Sequence, residues 1–299
     1  MQRIVLTAAA FAVLASAASS EGISYTRLSY DYQAHTGEFG DPTLGFFQGA
    51  IDYERDQYVF GAIFDNTSVS SDVGDGSFSD LGIWGGYVVT PEILAGAGLI
   101  NRSGDTDEST SYELFGQYVT SAYGAAINYT LLEDDESQTA LFGRYGLSDG
   151  FEVGGLFVSN SASEGSVYQL HANFDAGAVD ARAFVTGNTE IDGNVFGLRG
   201  NYTFGEEFRA GGAFETFVGA EFNDRTIQIS GGYSFLDDLW IDGSVGQIDL
   251  DEGATVDFVR VLLTYETGDR ARLDATIAQD SSDDFWSGVS PLFIFDLGV

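Results

Sequence analysis

The chain contains no cysteine, so neither a disulfide nor a thiolate contributes to its stability or its chemistry. It contains no lysine either. All twelve basic residues are arginine and stand against 46 acids, a formal net charge of −34. So little positive charge repels a phosphate backbone and excludes nucleic acid as a partner. There are only three prolines in 299 residues, which suits long strands whose every N–H is needed by a ladder. Two histidines occur, His35 and His171, and neither lies in a catalytic or zinc-ligand spacing. We expect neither an enzyme nor a cofactor. A surface hydrolase is the remote alternative.

The N-terminus reads as a targeting segment. Met1-Gln2-Arg3 is followed by an apolar run from Ile4 to Leu14 and by the small residues Ala15-Ser16-Ala17. This three-part pattern predicts a signal peptide over 1–17, cleaved near Ala17, with 18–299 as one domain. No later stretch reaches the roughly 18 apolar residues that a membrane helix requires. Any crossing of a membrane must therefore use strands.

What the rest of the chain does have is a period of two. From Thr226 to Phe235, the side chains of Ile227, Ile229, Tyr233 and Phe235 alternate with Thr226, Gln228, Ser230 and Ser234. Val195 to Phe204 and Val167 to Phe174 repeat the pattern. Successive strand side chains point to opposite faces, so each segment needs one apolar and one wet surface. About eighteen such segments are counted by this alternation, from 23–33 to 271–279 and 286–298, with sixteen as the alternative. The segments 43–53, 93–102 and the last are the weakest. The 44% hydrophobic fraction argues against disorder, and no linker or composition break divides the chain.

The connections alternate in kind. Short ones include Glu54-Arg55-Asp56, Thr120-Ser121-Ala122 and Ser148-Asp149-Gly150. Longer acidic ones include Thr67 to Ser77, Ser103 to Ser109 and Glu133 to Ser137. In a meandering barrel, odd and even connections emerge on opposite rims, short turns on the periplasmic side and longer loops outside. Aromatics of the apolar face gather beside the short turns: Tyr53 and Tyr58, Tyr118 and Tyr123, Tyr145 and Phe151, Phe204 and Phe208. Such a ring is the girdle expected at a membrane interface. The predicted fold class is all-β: a transmembrane antiparallel up-and-down β-barrel of about 18 strands.

The polar face would then line a lumen. It carries Arg27, Arg144, Arg182, Arg199, Arg209, Arg260 and Arg272, with Asp31, Glu113, Glu215, Asp242 and Asp274 among the acids. Two readings stay open. The arginines set a transverse field against acids across the lumen, or each pairs locally, as Arg182 with Asp180 or Arg272 with Asp274. Loop acids would draw cations to the mouth within a screening length of about 8–10 Å. Asp105, Asp107, Glu108, Asp134 and Asp135 are the weak candidates for holding Ca²⁺ or Mg²⁺, and plain solvated loops are the simpler reading.

Taken together, the chain resembles bacterial outer-membrane barrels, in tone the acidic porins of alphaproteobacteria. The terminal Pro291-Leu292-Phe293-Ile294-Phe295-Asp296-Leu297-Gly298-Val299 is similar to the signal read by the barrel-assembly machinery, although that signal usually ends in Phe or Trp. The resemblance implies passive diffusion of small hydrophilic solutes or ions, which the loop acids would bias toward cations. It also implies contact with outer-membrane lipid and leaves a homo-oligomer open. A non-conducting barrel that only presents acidic loops is the alternative.

Overall fold

The computed structural model describes residues 22–268 apart from 38–40, 72–73, 105–107, 133–135, 162–165, 190–192, 206, 220–224, 237 and 251–252. The predicted signal peptide, Arg272, Asp274 and the acids Asp105, Asp107, Asp134 and Asp135 lie outside the described residues.

Among the described residues sixteen strands follow one another. They are β1 (Ile23–Gly37), β2 (Thr43–Arg55), β3 (Tyr58–Ser71), β4 (Gly74–Thr90), β5 (Ile93–Gly104), β6 (Glu108–Val119), β7 (Tyr123–Leu131) and β8 (Ser137–Ser148). The second eight are β9 (Phe151–Asn160), β10 (Ser166–Asp175), β11 (Val179–Asn188), β12 (Gly193–Phe204), β13 (Phe208–Gly219), β14 (Arg225–Leu236), β15 (Leu239–Asp249) and β16 (Thr255–Gly268). Each pairs antiparallel with its neighbours in sequence, and β1 pairs with β16 to close the barrel. The weakly patterned segments 43–53 and 93–102 are strands, because tertiary pairing decides what short alternation leaves open.

The count corrects the sequence-based expectation of about eighteen. The seam from Tyr25↔Gly268 to Gly37↔Val256 joins β1 to β16, while the other edge of β1 holds β2. No ladder edge is left for a further strand, and closure removes edges altogether. The segments 271–279 and 286–298 lie outside the described residues.

The expected contrast between short and long connections is also reduced. Thr67 to Ser77 is mostly ladder, since β3 runs to Ser71 and β4 starts at Gly74. Asp and Gly are poor residues for a half-buried strand. They are tolerated where a hairpin rises far enough for both faces to meet water. On the other rim the turns that fall among the described residues are tight as expected. Asp56 turns the chain with φ 58°, a left-handed conformation open to Asp because its short polar side chain bonds locally. Four register shifts, at Ile23/Tyr25, Val88/Thr90, Gly146/Ser148 and Ser234/Leu236, all lie beside this rim. Bulges concentrate at barrel rims, where they bend the strand and end pairing.

Directly opposed residues share a face. Tracing partners from Arg27 through Ala50 and Ile63 carries one face around the wall to Glu266 and back to Arg27. That face is the inner one. The other is apolar: Leu114, Leu170, Leu198, Ile229 and Tyr58 are 54–63% exposed.

Candidate functional site: the inner wall

Around β11 to β16 and β1 the inner wall is charged. Arg199 on β12 donates from Nε to Glu215 Oε1 on β13 at 3.0 Å. Its guanidinium carbon lies 4.8 Å from the centre of the Phe184 ring. Arg209 donates from Nε to Asp242 Oδ1 at 2.9 Å and lies 4.2 Å over the Trp240 ring. Arg260 reaches both oxygens of Asp31 at 2.9 Å across the closing seam, and Asp31 also accepts from Gln33 Nε2 at 3.2 Å. Forked guanidinium–carboxylate bonds are about twice as strong as neutral ones and fix both planes. Stacking on a ring adds a further attraction.

The remaining candidates also sit on this face. Arg27 stands opposite Glu266, which accepts from Tyr25 Oη at 2.9 Å. Arg182 stands opposite Arg199 and donates to Gln169 Oε1 at 3.3 Å. Like charges directly opposite destabilise a ladder, and Glu215 and Gln169 draw the two guanidinium groups apart. Arg144 reaches Glu152 at 3.4 Å in a half-exposed pair. Glu113 is buried on β6, opposite Gly98 and Thr130. Neighbouring strands therefore supply partners to Arg144, Arg199 and Arg260, and Arg209 finds its acid two strands away on β15.

Sequence alternation alone missed the inward aromatics. Trp84, Phe115, Phe184, Trp240 and Phe258 all occupy the inner face. Trp84 and Phe115 pack with Val59 and Leu94 in an apolar patch on β3 to β6, rings edge-to-face at 5.6 Å. The available signal was parity: Phe184 is two residues from Arg182, and Trp84 is four from Asp80.

Several inward groups stand directly opposite a glycine. The pairs are Trp84↔Gly61, Phe115↔Gly96, His171↔Gly154, Phe184↔Gly197 and Phe258↔Gly246. A Cβ built on any of these glycines would come closer than 3.0 Å to the facing ring.

Other inward polar atoms have no partner among the described residues: Asn128 Oδ1, Asn173 Oδ1, Gln228 Nε2, Ser230 Oγ and Ser244 Oγ. Buried polar groups in folded proteins are bonded to protein or to water. Water inside the barrel is what could satisfy these. Among the described residues no group of His, Cys, Asp or Glu is placed to hold a metal ion. Glu108, the one described member of the cation-binding candidates, is exposed at the start of β6.

No protein-family model matches the chain, and no curated protein does. The fold is similar to solved structures of outer-membrane channels of the Occ kind. OccK3 (OpdO) of Pseudomonas aeruginosa superposes with a TM-score of 0.55 at 12% identity, covering 83% of this chain and 96% of that one. OpdK of the same organism, solved with vanillate, gives 0.56 at 9%, covering 83% and 98%. OccAB4 of Acinetobacter baumannii gives 0.58 at 9%, again covering 83% and 98%. At these identities the likeness is one of fold.

Proposed function

We propose that the chain is a bacterial outer-membrane channel whose narrow, water-containing bore passes small hydrophilic solutes or ions. The observation that carries this reading is the inversion of its two surfaces. Leu, Ile and Phe stand exposed around the outside, while Arg, Asp, Glu, Asn and Gln are turned inward. Water outside would leave that apolar band unsatisfied, and hydrocarbon outside satisfies it.

Rings beside the short turns support the membrane reading. Tyr118 and Tyr123 lie 5.6 Å apart across their hairpin, Phe208 and Tyr233 4.9 Å, and Tyr58 and Tyr87 5.5 Å. Their parity turns them outward, where an interfacial girdle belongs. The vanillate in OpdK, a protein of similar fold, supports a small solute as the cargo. A signal peptide over 1–17 and recognition by the assembly machinery belong to the same reading. Acids near the upper rim, such as Asp75 and Asp249, would bias the mouth toward cations.

The inner layer favours a narrow bore. Side chains converge on the concave face of a wall, and the Arg199–Glu215 pair is only 8% exposed at each member. The same packing favours the second reading, a closed barrel that anchors loops. Planar-bilayer recording separates them. Discrete conductance steps are expected from refolded protein, and a correctly folded but silent barrel would leave the anchor. In a salt gradient the reversal potential should lie on the cation side, and anion preference would end the proposed bias.

A further inference from the structure

The inward glycines have a common geometry that alternation does not require. Neighbouring strands lie about 4.8 Å apart. A ring that occupies the space above the facing glycine has crossed that gap, so it reclines along the sheet instead of standing on it. Phe184 does this over Gly197, and Trp84 does it over Gly61 on the other side of the barrel. Phe184 in turn carries Arg199, whose guanidinium stacks on the ring and bonds Glu215. One glycine thus holds a ring and a charge against the wall.

We propose that Gly197 and Gly61 are calibre-setting positions of the bore, sockets that keep Phe184 and Trp84 out of the conducting path. A methyl group in the socket has no space under the ring, so the ring must swing about its own Cα toward the lumen. This inference rests on the channel reading, and the experiment below separates the two.

Gly197→Ala, Phe184→Ala and the double variant are refolded and compared by single-channel conductance and by urea unfolding. Gly197→Ala should lower conductance about twofold, because conduction through a constriction follows its open section. Phe184→Ala alone should not widen the pore, since the ring is already out of the path and Glu215 still holds Arg199 at the wall. The double variant should recover wild-type conductance, and its unfolding should show coupling between the two sites. The inference is overturned if Gly197→Ala conducts like the wild type, or if Phe184→Ala alone widens the pore. If Gly197→Ala does not fold, a folded double variant supports the socket, and failure of both overturns it. A silent wild type sinks the channel reading, while the unfolding cycle still tests the socket. Gly61→Ala with Trp84→Ala repeats the test on the opposite wall with the same expectations.

Discussion

Two stretches of the inner wall obey the same alternation and are built from different physics. From β3 to β6, Val59, Trp84, Leu94 and Phe115 form an apolar patch. From β11 through β16 to β1, the same face carries Arg182, Arg199, Arg209 and Arg260 with their carboxylate and amide partners, and Arg27 opposite Glu266. The first stretch is held by area removed from water, a non-directional gain. The second is held by forked, charge-assisted bonds whose value depends on geometry. The difference teaches that "inward" and "polar" are separate properties of this chain. Parity sets the face, and local packing decides which chemistry stands on it.

The comparison is broken most forcibly at the seam. Arg260 and Asp31 are 3% and 10% exposed in their side chains and join the last described strand to the first. Removing one partner leaves a buried charge behind, so Arg260→Ala should cost about 4 kcal/mol of folding free energy. Asp31→Asn with Arg260→Met should recover most of that, because no charge is left to strand. Urea unfolding in detergent micelles measures both. An Arg260→Ala barrel as stable as the wild type would show that lumen water replaces the lost partner at little cost.

The apolar stretch should respond differently. Trp84→Ala removes the largest member of the patch and empties the place above Gly61, which should cost about 3 kcal/mol. It should leave the reversal potential where it was, since no charge changes. A shift in ion selectivity would mean that the apolar patch positions charged groups, and the two stretches would no longer be distinct.

Much of this was legible in the chain. Ile227, Ile229 and Tyr233 face out opposite Gln228 and Ser230 because strand geometry permits nothing else. The tyrosines flanking the short turns were placed by the same rule. The inward position of Arg199, Arg209 and Asp242 followed too. What alternation could not supply was partnership. Arg260 meets Asp31 only because the barrel closes after sixteen strands, and the sequence-based count of about eighteen put the seam elsewhere. Phe184 beneath Arg199, and Gly197 beneath Phe184, are cross-strand facts that depend on register, which no single segment contains. The loop from Thr67 to Ser77 was misjudged for a related reason. Its polar residues mark where the hairpin leaves the apolar band, not where pairing stops.

The smallest effect sharpens the contrast within the charged face itself. Arg144 and Glu152 make a pair at 3.4 Å with side chains 35% and 30% exposed, unlike the forked, buried pair at Arg260. Water screens such a pair, so Arg144→Ala should cost less than about 1 kcal/mol. On the proposed channel reading its effect on ion flow exceeds its effect on stability, because an exposed charge stands nearer the water of the lumen. Loss of that positive charge should move the reversal potential toward cations, while unfolding stays close to the wild type. If Arg144→Ala destabilises the barrel as much as Arg260→Ala, exposure is not what separates the pairs. The charged stretch would then have to be treated as one coupled network extending to β8.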